Sequence, residues 1–298
     1  MDRNTGLAEF LRSRRERLSP EQAGVVHQGS RSRRVPGLRR EEVAALAGVS
    51  VDYYVRMERG HRLNVSEAVL DSLARALRLD ATERSYMFAL AQPAQRRHRR
   101  PPSRPQRVRP GLHQVLSTLK HTPALVLGRR LDVLASNRMA RALLTDFTAL
   151  PHKDQNMVRF LFCDQAARDL YIHWATVASE IVASLRLEAG RHPDDPQLTD
   201  LVGDLCVHDE DFRRWWADHD VHQRTHGTKH IHHPLVGELS LQYESLTLPA
   251  DPDQRLVLYT AQPESPAHDA LRLLDSSTQP TQRGSERNDA TPGPDTTK

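Results

Sequence analysis

Within residues 39–60 the apolar side chains fall into two sets, Val43, Leu46 and Ala47 before Gly48, and Tyr54 and Met57 after it. Each set shares one face at helical spacing, so the stretch reads as two short helices joined by a tight turn, a helix-turn-helix. Ala44 is small where the helices must approach, Gly48 stands where the turn needs positive φ, and Ser50 can cap the second helix. An ordinary helical hairpin with a glycine turn is the competing reading. Three such coincidences, ringed by arginines, disfavour it.

Charge placement narrows the partner. Residues 1–110 hold 23 arginines against 12 acidic residues, whereas the rest of the chain holds 19 basic and 26 acidic ones. The first part suits a polyanion and the remainder does not. At 298 residues the chain can support two domains. Residues 1–18 are charged throughout and no apolar run approaches a membrane span, so a cytoplasmic protein without a membrane partner is expected. Cys163 and Cys206 stand alone and are expected as free, buried thiols.

Taken in order, residues 6–17 read as a first helix with a stripe of Leu7, Phe10 and Leu11. Pro20 opens a loop that carries Arg31, Arg33 and Arg34, placed for phosphate contact beside the motif. After Gly60, Ser66 caps a helix with Val69, Leu70, Leu73, Ala74 and Leu77 on one face, and a last helix covers 82–92. The expectation is an all-α, five-helix domain over 1–92. Residues 93–110 contain five prolines and seven arginines, a basic Pro/Arg-rich linker. It can lie along DNA or serve as a solvated tether, and both readings stand.

The second domain is expected over 111–275, with a disordered polar tail at 276–298. A short helix at 113–119 precedes a β-hairpin over 124–128 and 131–135, then a helix over 137–144. Helical spacing returns over 156–162, 166–189, 197–206 and 211–217. Strands follow over 229–232, 238–248 and 255–261, with a turn at 249–254 and a closing helix at 265–274. This is an α+β pattern.

The phrases Val35-Pro36-Gly37-Leu38-Arg39-Arg40-Glu41-Glu42-Val43-Ala44 and Ala47-Gly48-Val49-Ser50-Val51-Asp52-Tyr53-Tyr54 resemble the XRE-type helix-turn-helix of bacterial repressors, and more narrowly that of MmyB-like regulators. In that fold the second motif helix enters the major groove. The resemblance places Ser50, Val51, Asp52, Val55, Arg56 and Arg59 toward double-stranded operator DNA. Arg56 is the best single reader, since a guanidinium bridges guanine O6 and N7. Asp52 either accepts from a cytosine amine or stabilises the helix N-terminus. Arg39, Arg40, Arg33, Arg34 and Arg62 would grip phosphate. Arg15 and Glu58 would form the domain's internal ion pair.

The second half, in Thr122-Pro123-Ala124-Leu125-Val126-Leu127, Leu131-Asp132-Val133-Leu134-Ala135-Ser136-Asn137 and His233-Pro234-Leu235-Val236-Gly237-Glu238-Leu239, is similar to the PAS-like ligand-binding domain of MmyB-like regulators. The resemblance implies an apolar pocket for a small hydrophobic, fatty-acid-like effector. Phe160, Phe162, Tyr171, Trp174, Trp215, Trp216 and Tyr243 would wall it, with Arg159 as carboxylate partner. Plain core packing is the alternative for each ring.

Six histidines crowd into residues 219–233, and a helical His222-x3-His226 pair would resemble the start of a metal site. No cysteine lies beside them and Gly227 interrupts the helix, so no metal and no other cofactor is expected. The chain contains no GxSxG, phosphate-cradling glycine loop or HExxH, which argues against an enzyme. The expectation is a homodimeric bacterial transcription regulator. A metal-sensing or protein-interaction second domain is the alternative.

Overall fold

The computed structural model describes residues 3–25, 36–61, 64–91, 106–223 and 225–278. Arg33, Arg34, Arg62, most of the linker and the tail beyond 278 lie outside them.

The N-terminal domain contains α1 (Arg3–Arg17), α2 (Pro20–Ala23), α3 (Arg40–Ala47), α4 (Val51–Glu58), α5 (Glu67–Ala76) and α6 (Ala81–Ala91). Single-turn α2 occupies the start of the stretch expected as a loop, the rest of which lies outside the described residues: Ser19 and Gln22 form a capping box and Pro20 occupies the first turn, where its missing N–H costs nothing. Phe10, Leu11, Leu38, Val43, Tyr54, Leu73 and Met87 make one buried core. Leu46, expected on the inner face of α3, is 43% exposed. Its neighbours Val43, Ala44 and Ala47 alone face inward, a stripe narrow enough for an eight-residue helix.

The C-terminal domain runs α7 (Pro110–Thr118), β1 (Ala124–Leu127), β2 (Val133–Ser136), α8 (Arg138–Leu143), α9 (Met157–Cys163), α10 (Gln165–Leu170), α11 (Trp174–Arg191), α12 (Pro196–His208), α13 (Glu210–Ala217), β3 (His226–His233), β4 (Gly237–Leu248), β5 (Asp251–Thr260) and α14 (Pro266–Thr278). The strands form one antiparallel sheet in the order β2-β1-β5-β4-β3. Leu239, Leu241 and Tyr243 alternate inward from β4, and with Leu125 and Val257 they meet the helices between β2 and β3 in the main core. On β1 the intervening side chains Ala124 and Val126 pack with Leu112 and Leu116 of α7, which covers the opposite face.

Asn137 explains why α8 starts where it does. Its carbonyl accepts from the Ala124 and Ala140 N–H groups, and its amide donates to the Leu119 and Thr122 carbonyls. One buried side chain thereby caps α8 and ties it to β1.

The single helix expected over 166–189 is broken into α10 and α11. Ile172 donates its N–H to the His230 carbonyl at 3.1 Å and Tyr171 bridges Ile231, so the edge of β3 takes backbone groups that a continuous helix would have used. The expected turn at 249–254 contracts because β5 already begins at Asp251. Strand β3 begins at His226, three residues earlier than expected.

The two domains share a junction. Leu187 of α11 and Val221 belong to the N-terminal core. The Tyr86 ring of α6 lies so close to Gly190 that a Cβ there would sit 2.2 Å from a ring carbon, so only glycine permits the approach. Around this contact Arg14 donates to the His219 carbonyl at 2.7 Å and to Asp220 at 3.1 Å, and Arg17 bridges Glu83 and Asp220.

Candidate DNA-binding face and ligand cavity

The turn of the helix-turn-helix has Gly48 at φ 67°, and the Ser50 hydroxyl accepts from the Tyr53 N–H at the start of α4. Tyr54, Met57 and Glu58 point inward, which leaves Ser50, Val51, Asp52, Arg56 and Arg59 exposed and Val55 half-buried. These six therefore lie on or beside the solvent side of α4. Asp52 sits in the first turn, where its charge suits the helix dipole.

Glu58 anchors the motif from within. Its carboxylate accepts from Arg15 Nε at 2.6 Å, and Arg15 also donates to the Leu38 carbonyl at 3.0 Å. Arg40, expected on phosphate, has its Nε hydrogen-bonded to the same carboxylate. The reason is geometric: the first turn of α3 stands against Glu58, so the guanidinium reaches this acid although its side chain remains 45% exposed. Arg39 starts α3 through its backbone N–H to Glu42, and its side chain reaches Glu41 at 3.4 Å.

In the second domain a cavity of about 90 Å³ opens between the sheet and α11. Leu125, Leu127, Leu131, Met157, Leu161, Val177, Ile181 and Val257 supply its apolar wall, with Tyr171, Tyr243 and Tyr259. Glu180, Ser184, Lys229, Ser245 and Arg255 supply the polar part. Burial pushes the Tyr259 phenol up to about 12, and the Tyr171 phenol, hydrogen-bonded to it, also well above its ordinary value. Both rings thus present neutral surface to the cavity. Lys229 Nζ donates to Glu180 at 2.9 Å, and Arg255 approaches Glu188 at 3.4 Å.

Of the expected wall, Tyr171 and Tyr243 line this cavity. The other six residues do not. Phe162 packs edge-on against Trp174, Phe212 and Trp215. Trp216 stacks on Phe212 with Arg186 over its ring. Phe160 meets Phe147, and Arg159 pairs with Asp204 at 2.7 Å. The rings of α9, α11 and α13 face one another rather than the sheet, so they fill space instead of bounding it.

The remaining wall residues had weak signals in the sequence. Val177, Glu180, Ile181 and Ser184 recur at helical spacing, and Lys229 is one of four lysines in an arginine-dominated chain.

The histidines are dispersed. His226, His230 and His232 are exposed on β3, whereas His219 and His233 are buried. Among the described residues no group of three or more His, Cys, Asp or Glu could hold a metal. Cys163 is exposed and Cys206 half-buried, in contrast to the buried thiols expected, because each lies toward the solvent side of its helix.

His219 sits at the domain junction. Arg186 donates to its Nδ1 at 2.9 Å, and Glu9 lies 3.5 Å from its Nε2. A guanidinium cannot accept a proton, so Nδ1 is the acceptor and the ring is neutral. Burial, then Arg186 and Arg14, lower its pKa from 6.5 to about 3, against a small opposing effect of Asp220. Because the folded value is depressed, the unfolded chain binds a proton between those values that the folded chain refuses. Stability is therefore full above pH 6.5 and falls as pH drops toward 3, by at most about 1.4 kcal/mol per pH unit. Thermal melts from pH 7 to 5 should show this fall, and His219→Gln should flatten it.

Among the described residues the outer face of the second motif helix is exposed, and the motif is fused to an α+β domain with a cavity, the layout of a DNA-binding regulator with a ligand-binding domain. Residues 7–87 match the family model described as a helix-turn-helix domain. Residues 108–274, more than half the chain, match that of the MmyB-like transcription regulator ligand binding domain, and the chain belongs to this family. Both are families of transcription regulators and not of enzymes. No curated protein matches the chain. Among the described residues no helix is long and apolar enough to cross a membrane.

Proposed function

We propose that this is a bacterial, cytoplasmic transcription regulator that reads operator DNA through an XRE-type α4 and answers to a small hydrophobic, fatty-acid-like effector held in a PAS-like domain. The observation that carries the effector reading is the cavity itself: apolar over most of its wall, with a lysine where an anionic head would stop. The sheet order β2-β1-β5-β4-β3, with helices inserted between β2 and β3, supports the PAS-like reading. Native mass spectrometry of the full chain, before and after denaturation, tests it: a co-purifying small molecule of carboxylate mass is expected, and a consistently empty chain that no fatty acid loads would contradict it.

On the DNA side Ser50, Val51, Asp52, Val55, Arg56 and Arg59 face the groove, while Arg39 and Arg40 lie at its border. Arg40 divides its charge between Glu58 and the phosphates. A two-fold homodimer would space half-sites about 34 Å apart, or a multiple of that, along one DNA face. Arg56→Ala should cost about 1–3 kcal/mol of discrimination between a selected duplex and a scrambled one, with binding to the scrambled duplex little changed. Fluorescence anisotropy on both duplexes measures this.

A further inference from the structure

Helix α11 does two jobs along one length. Val177, Glu180, Ile181 and Ser184 form a wall of the cavity, and further along Leu187 and Gly190 pack against the DNA-binding domain. Glu180 is the one acidic residue on that wall, and its carboxylate holds Lys229 of β3 at 2.9 Å. The two side chains are only 14% and 13% exposed, and the Lys229 ammonium also lies 4.9 Å from the centre of the Tyr243 ring. This contact fastens α11 to the sheet across the cavity.

An ion pair so withdrawn from water has lost much of its hydration, and it persists only while neither charge meets a better partner. An anion entering the cavity offers Lys229 such a partner and leaves Glu180 facing a like charge. Arg255, the other cation on the wall, already has Glu188 beside it. We infer that the Lys229–Glu180 pair is a latch opened by an anionic effector, and that α11, once released, shifts against α6 at Gly190 and resets the DNA-binding domain. The inference rests on the effector reading given above.

The junction is built to register such a shift. The Tyr86 ring leaves no slack over Gly190, and it packs edge-on against Phe10 of α1 at 5.2 Å. Tight packing passes displacement on rather than absorbing it. Glu9, Arg14 and Arg17 of α1 and Glu83 of α6 stand around the same contact, whereas among the described residues the outer face of α4 is exposed. The effector would thus favour one domain arrangement over another by what it does at Lys229, which is the differential contact that any population shift requires.

Two measurements on the full chain test this. Glu180→Gln removes the competitor for Lys229 at nearly constant volume, so octanoate, titrated by calorimetry, should bind several-fold tighter than to wild type. Lys229→Met should bind it at least about tenfold more weakly, the loss of a charge-assisted hydrogen bond. Without any ligand, Glu180→Gln should also raise amide exchange in α6 at least threefold over wild type, and in a Gly190→Ala background it should add nothing further. Unchanged exchange in α6, with α11 itself loosened, overturns the latch. Octanoate failing to bind wild type and Glu180→Gln alike overturns the anionic-effector reading, whatever the exchange result shows.

Discussion

Glu58→Ala should destabilise the N-terminal domain by about 3–5 kcal/mol and abolish DNA binding, because it strands a buried cation. The Glu58 carboxylate is fully withdrawn from solvent and receives Arg15, itself 8% exposed, together with Arg40. Arg40 can swing into water when the acid is gone. Arg15 cannot, and it keeps the Leu38 carbonyl and the exposed Glu16 but no second buried carboxylate among the described residues. A domain of this size has little more stability than that to lose. Glu58→Gln keeps a hydrogen-bond acceptor and should cost less. Urea unfolding followed by circular dichroism, with DNA affinity measured on the same samples, gives both quantities; an alanine variant that melts and binds like wild type would refute the anchor role.

Phe162→Ala should cost a similar amount, about 3–5 kcal/mol, in the other domain. Its ring touches Trp174, Phe212 and Trp215, and it is absent from the cavity wall. Truncation leaves a hole in an aromatic cluster that three rigid neighbours cannot close. Octanoate affinity per folded molecule should stay within a factor of about two, since the ring points into the Trp174, Phe212 and Trp215 cluster and not into the cavity that its neighbour Leu161 lines. A large loss of affinity with little loss of stability would instead make Phe162 a ligand contact.

That contrast shows why the two sites differed in legibility. The outer face of α4, proposed to meet DNA, is local: Gly48 at positive φ, Ser50 as cap and the buried pair Tyr54 and Met57 fix which side of α4 faces out, and all lie within a few turns of chain. Arg15 and Glu58 were also legible, as an internal pair implied by the family resemblance. Arg40 was not, because its preference for Glu58 depends on how two helices cross.

The cavity is assembled from β1, α9, α11, β3, β4 and β5, so no sequence window contains it. A space left open is bounded by side chains too short to fill it. Phe160, Phe162, Trp174, Trp215 and Trp216 stood out in the sequence because they are large, and for the same reason they pack instead of leaving room. Leu125, Val177, Ser184 and Val257 are small or mid-sized side chains that nothing in the sequence distinguishes from ordinary core or surface positions. The break between α10 and α11 was hidden likewise, since the hydrogen bond that causes it comes from His230, far along the chain.

In vitro selection of duplexes from a random pool by the full chain, repeated with Arg56→Ala, tests whether this helix-turn-helix reads DNA sequence. The wild type should enrich one motif, and the variant should lose or relax it. Retention of DNA by wild type without any enriched sequence, or an identical motif selected by both proteins, would contradict that role.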